Sequence, residues 1–253
     1  MVIGGRGASI MTITTGMMIM RFAPLILCAA LAGCATAPPL PTSPVGVQGL
    51  IAPTLNARTA VRNFVKVIET VEPVAEAECR ARAPALNCDY LIVVDDTPGA
   101  PPNAFQTRDE EGRPVIVFTV PLIAVARNID ELAFIMAHEA AHHIEGHLTR
   151  QKQSTITGAR ILGGLASVVT GGREESVRAG IELGAKIGSR AFSKDFELEA
   201  DALGTVIAAR AGYDPVRGAQ FFLRIPDPGN KFLGTHPANA DRLSTVRAVA
   251  ARL

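Results

Sequence analysis

Two histidines four residues apart, with a glutamate directly after the first, form the string His138-Glu139-Ala140-Ala141-His142. It lies in an apolar run, Ile129 to Ile144, that reads as one helix. Residues at that spacing stand on one helical face a turn apart, so both imidazoles can converge on a single ion. Glu139 lies about 100° further round the axis, close enough to reach a water on that ion. Two neutral nitrogens and an adjacent carboxylate are the parts of a hydrolytic zinc site: ligands, an open position for water, and a base for its proton. The plainer reading is a helix with two packed or surface histidines. Its surroundings argue against that. Ala133, Phe134, Ile135, Ala137, Ala140 and Ala141 bury the helix, and buried imidazoles need polar partners, which a metal supplies. Asp130 is the expected N-terminal cap.

A catalytic zinc takes three protein ligands and a water. The third is expected in a second helix that contains Lys194 to Gly204, runs to Arg210 and is ended by Gly212. Glu197 and Asp201 share a face of it, while Glu199 stands about 200° round from Glu197 and points elsewhere. Glu197 can ligate the metal, and Asp201 can accept a hydrogen bond from a ligand imidazole and fix its tautomer. Alone, this pair would read as an ordinary acidic face; coupled to the first motif it does not. His236, in Gly234-Thr235-His236-Pro237 ahead of a final helix from about Ala238 to Arg252, is a further candidate. It could be a fourth, displaceable ligand or a donor to the oxyanion of the tetrahedral intermediate; the alternative is a surface histidine before a helix. Arg242 could reinforce that region. His147 lies on another face from His142 and reads as orienting structure rather than binding metal, and His143 has no assigned role.

These residues resemble the gluzincin peptidases of the group that contains the CAAX prenyl endopeptidases and the HtpX heat-shock protease. Pro102-Asn103-Ala104-Phe105 is similar to the group's N-A-F segment ahead of the strand bordering the cleft. Ser189-Arg190, Ala211-Gly212-Tyr213-Asp214-Pro215, and Thr235-His236-Pro237 followed by Arg242 resemble its other elements in the same order. The resemblance implies a zinc endopeptidase with one zinc held by His138, His142 and Glu197, Glu139 as catalytic base, and Asp201 behind a ligand. In periplasmic, BepA-like members a histidine matching His236 is a further ligand that restrains activity. Two departures stand out. Gln106 to Arg113 is polar and charged where a small apolar turn is usual, and helical repeats of the kind BepA-like members append are not expected after Arg252. The chain looks more like the short lipoprotein members, so a narrow set of assembly clients is not implied.

The N-terminal segment reads as targeting. Met20-Arg21 precedes an apolar stretch, Phe22 to Ala32, and Leu31-Ala32-Gly33-Cys34 resembles a bacterial lipoprotein signal box. Residues 1–33 are the expected signal peptide, with Met20 a candidate true start, and Cys34 the expected lipid site. The stretch is too short to span a bilayer as a mature helix; the alternative is an uncleaved anchor. Residues 34–49 are a Pro-rich tether and 50–253 one metallopeptidase domain. With no Asp after Cys34, the sorting pattern resembles that of the outer membrane, with the domain on the periplasmic side. Cys79 and Cys88 are the remaining pair, favoured as a disulfide over two buried thiols in that oxidising compartment. A net charge of +1 and the absence of Trp give no nucleic-acid surface.

The expected fold is α+β, a mainly helical zinc metalloprotease domain with a small sheet beside the active-site helix. The elements read are a helix from about Leu55 to Thr70, strands Tyr90 to Val94 and Pro114 to Val120, and the two motif helices. An edge strand could hold an extended peptide by backbone pairing. Ile156 to Ile187, Gly-broken at Gly171-Gly172, reads as two helices that could be a lid, packed core or a membrane-contacting patch. The expected activity is zinc-dependent cleavage of unfolded or misassembled envelope proteins. A zinc-containing chaperone-like lipoprotein is the rival; Glu139 discriminates, since a structural site needs no free carboxylate there.

Overall fold

The computed structural model describes residues 55–191, 193–225 and 237–253. Helix α1 (Ala57–Arg82) opens it, with the Asn56 side chain accepting the Thr59 N–H at 2.9 Å. Phe64, Val67, Val71, Ala75 and Cys79 form its buried stripe. The helix runs well past the expected end at Thr70, because that stripe continues and Pro73 sits on the exposed side. There the carbonyl that loses its N–H partner can meet water. A disulfide from Cys79 to Cys88 fastens the end of α1 to the start of the sheet.

The sheet has three strands, β1 (Leu91–Asp95), β2 (Ala104–Arg108) and β3 (Pro114–Thr119), in the order β1-β3-β2. β3 is buried throughout, parallel to β1 and antiparallel to β2, with Val117 opposite both Val93 and Phe105. β2 begins at Ala104 and includes Gln106 to Arg108, so Ala104-Phe105 is itself the start of the strand bordering the cleft rather than a segment ahead of it. An edge strand needs only one apolar neighbour, so polar residues are tolerated there. Gly112, at φ 84°, tightens the return to β3.

The remaining elements are α2 (Val120–Val125), α3 (Ile129–Ile144), α4 (His147–Thr170), α5 (Glu174–Arg190), α6 (Ser193–Arg210), α7 (Pro215–Gly218), a 3-10 turn Ala219–Arg224, and α8 (Asn239–Ala250). The fold is α+β and mainly helical. α3 is the central rod, packed on α1, β2 and α6. Its cap is Asn128, whose side chain accepts the Glu131 N–H at 3.1 Å. Asp130 is already inside the helix and accepts the Asp214 N–H instead. A cap must have extended backbone, which Asn128 has and Asp130 lacks. α6 lies backbone-to-backbone on α3: a Cβ on Gly204 would stand 3.0 Å from the His138 Cα and N. α6 stops at Gly212 (φ 88°), where the Tyr213 N–H reaches the Ala208 carbonyl, and Asp214 then caps α7. α4 and α5 form a hairpin closed by Gly171 and Gly172 and pack chiefly on each other. Among the described residues, no helix is long and apolar enough to cross a membrane.

Candidate metal centre

α3 carries His138, Glu139 and His142; α6 carries Glu197 and Asp201; α8 carries Arg242. Ligand-type atoms of His138, His142 and Glu197 all lie within 4.8 Å of one another. The two Nε2 atoms are 3.0 Å apart, and the Glu197 carboxylate oxygens lie 3.6 Å from His138 Nε2 and 3.5 Å from His142 Nε2. Tetrahedral ligands at the usual zinc distances are separated by roughly 3.3 Å. The donor set and its spacing therefore fit a divalent ion of the zinc type.

Each imidazole is oriented from behind. Asp201, fully buried, accepts from His138 Nδ1 at 2.9 Å, which leaves Nε2 to face the cluster. Arg242 in turn donates to both Asp201 oxygens at 2.7 Å and stacks on Phe222, 3.7 Å from its ring centre. Its Nη2 also stands 3.4 Å from Glu197. On the other side, His142 Nδ1 meets His147 Nδ1 at 2.8 Å, and His147 Nε2 meets Glu199 at 3.0 Å. A carboxylate only accepts, so His147 protonates Nε2, its Nδ1 accepts from His142, and the His142 Nε2 lone pair faces the cluster. Arg150 anchors Glu199 at 2.5 Å.

The electrostatics follow. Burial and the nearby His138 charge hold His142 well below the usual histidine range, so it is neutral. Burial works against a charged His138, but hydrogen bonds with Asp201 and Glu197 outweigh it and raise the group to about 9. Those carboxylates favour a cationic guest between them. Burial pushes Glu139 up to about 7, with the His138 charge and then Arg242 opposing the rise and Glu197 adding to it. A base poised near neutrality can take a proton and give it back.

The cluster opens into a cleft of about 590 Å³. Asn103 and the β2 residues Ala104 to Gln106 form one wall; Phe134, Ile135, Phe196 and Phe221 supply apolar surface. Gln106 is buried in that wall, and its Oε1 has no hydrogen-bond partner among the described residues. Among the described residues, β3 is β2's only strand neighbour.

The structure thus brings together His138, Glu139, His142, Glu197 and Asp201. His236 and Cys34 lie outside the described residues, as do the signal and tether segments. His143 is buried away from the cleft, with its Nε2 on the Asn87 carbonyl and its ring edge-on to Tyr90. The His147–Glu199 arm was not assigned from sequence. The helix breaks at Gly146, in left-handed conformation at φ 67°, so face arithmetic cannot carry from His142 to His147. Arg242 was placed near His236, and its grip on Asp201 was not foreseen.

The sequence profile of the family described as "Peptidase family M48" matches residues 62–250. The chain is 30% identical over 146 residues to the beta-barrel assembly-enhancing protease of Yersinia pestis, covering 52% of this chain and 30% of that one. It is 28% identical over 144 residues to the protein of that name from Escherichia coli strain K12, covering 52% and 30%. It is 30% identical over 166 residues to the mitochondrial metalloendopeptidase OMA1 of Saccharomyces cerevisiae, covering 62% and 45%. The matches thus span less than half the length of each of these relatives.

Proposed function

The chain belongs to peptidase family M48, and from that premise we propose that it is a zinc-dependent endopeptidase of the bacterial cell envelope, holding one zinc per chain. The observation that supports this most is the meeting of three ligand-type atoms within 4.8 Å, beside a carboxylate on the same helix. His138, His142 and Glu197 would hold the ion, which when bound would polarise a scissile carbonyl and acidify a water. Asp201, gripped by Arg242, and His147, gripped by Glu199, keep the two imidazoles aimed. Glu139 takes the proton of the attacking water and passes it to the departing amine. An extended segment of substrate adds to the outer edge of β2, which fixes the scissile bond across the mouth of the cluster.

The substrates we assign are misfolded or misassembled envelope proteins; two of the relatives are named for enhancing beta-barrel assembly. The domain would act on the periplasmic face, anchored by a lipid on Cys34 at the outer membrane. Mass spectrometry of the mature N-terminus should find a lipid-modified Cys34; an unmodified N-terminus from Met1 or Met20 would remove the anchor.

The activity is tested by casein cleavage with metal content measured in parallel. Glu139→Gln should keep the metal and lose roughly 10²–10⁴-fold in rate. Undiminished cleavage by a metal-loaded Glu139→Gln protein would overturn the mechanism. The same assay on His236→Ala separates two roles: faster cleavage marks a restraining ligand, and lost cleavage with metal retained marks a donor to the oxyanion.

A further inference from the structure

The α4–α5 hairpin presents an apolar face with no partner among the described residues. Its seam is made by glycines. A Cβ on Gly158 would strike the Gly184 carbonyl, one on Gly184 the Gly158 carbonyl, and one on Gly180 would come within 2.7 Å of the Leu162 carbonyl. Contacts this close fix the rotation of both helices. On α4, Ile161, Leu165 and Val168 then stand about a quarter-turn to one side of the seam. Leu183 and Ile187 stand about a quarter-turn from the seam on α5, and antiparallel pairing puts them on the same side. All five are exposed, Ile161 by 63% and Val168 by 83%.

Charge is distributed around that face unequally. Residues 147–190 carry seven Lys and Arg against three Glu, a net +4 in a chain whose total is +1. Helical spacing puts Lys186 about 80° and Arg160 about 105° from the centre of the apolar face, on its outer sides, with Arg173 at its tip; Glu182 stands about 120° from it. Long cationic side chains beside an apolar stripe are suited to the headgroup level of a bilayer, with the stripe among the acyl chains. Neither helix is both long and apolar enough to cross a membrane.

We propose that this face of the α4–α5 hairpin docks on the surface of an anionic lipid bilayer, with Ile161, Leu165 and Val168 entering the headgroup–acyl boundary. The binding energy comes from burying five large aliphatic side chains and from cations meeting anionic headgroups. It is independent of the peptidase reading and of any lipid on Cys34.

The chain has no Trp, so a single introduced indole reports its own position alone. The full chain carrying Val168→Trp is mixed with vesicles of phosphatidylglycerol and phosphatidylcholine, some with brominated acyl chains. The expected result is a blue shift with anionic vesicles, loss of most emission with brominated lipid, and weakening of both at high salt. Glu182→Trp, on the far side, should show neither change. Adding Leu165→Glu to Val168→Trp should abolish the quenching, while thermal unfolding and cleavage of a soluble peptide stay unchanged. Unquenched Val168→Trp would overturn the proposal. So would quenching that survives Leu165→Glu, or a blue shift without vesicles that grows with protein concentration and so marks a second copy as the occupant.

Discussion

Two helix pairs in this molecule are brought close by small residues, and they use that closeness in opposite ways. α3 and α6 touch at Gly204, and the approach lets His138 reach both Glu197 and Asp201 on the neighbouring helix. What surrounds that contact is sealed: Asp201 is fully buried and Arg242 answers both its oxygens. α4 and α5 touch still more closely at Gly158 and Gly184, yet what surrounds their seam is open and aliphatic. The first pair uses burial to hold polar groups still, where each needs a partner or costs stability. The second leaves apolar surface unburied, which ordinary packing would not do over so many neighbouring side chains. Glycine seams are thus neutral about function; the side chains flanking them decide it.

The contrast can be broken most severely at Arg242. Arg242→Leu leaves Asp201 buried with His138 alone, and removing one partner of a buried pair costs about 3–5 kcal/mol. Chemical denaturation should show that loss, and metal titration should show affinity lower by about 10–100-fold through the misaimed His138. Unchanged stability and affinity would mean that the pair does not hold the site. A smaller change is expected where α6 meets α3. Gly204→Ala must push the helices apart against the His138 backbone, a loss of about 1–3 kcal/mol with weaker metal binding. Gly164→Ala should do the reverse. It lies on α4 with open space where its Cβ would be, so the helix gains about 0.5–1 kcal/mol and metal affinity is untouched. Equal losses at the two glycines would erase the distinction drawn between the pairs.

The parts of the site that were legible in the sequence obey one helix's period. His138 and His142 on α3, and Glu197 and Asp201 on α6, repeat every fourth residue, and the structure puts each pair on one face. What escaped crosses a break or the whole fold. His147 reaches His142 only because Gly146 bends the chain between them, and Arg242 arrives from another helix altogether. No spacing rule connects such residues. β2 escapes for a different reason: an edge strand beside a polar cleft loses the alternation by which strands are recognised. The α4–α5 region offered no decision between core, lid and membrane patch, because small and aliphatic residues serve all three. Only the rotation set by the seam shows which of them face outward.

The outer edge of β2 has a consequence for which proteins can be cut. Main-chain amides and carbonyls are the same in every polypeptide, so an edge of this kind checks whether a stretch of chain has been released from its own fold and takes little notice of its spelling. A well-folded neighbour has its strands already spoken for and presents nothing to add. Discrimination would then rest on conformational state, which would let one shallow groove serve many unrelated clients.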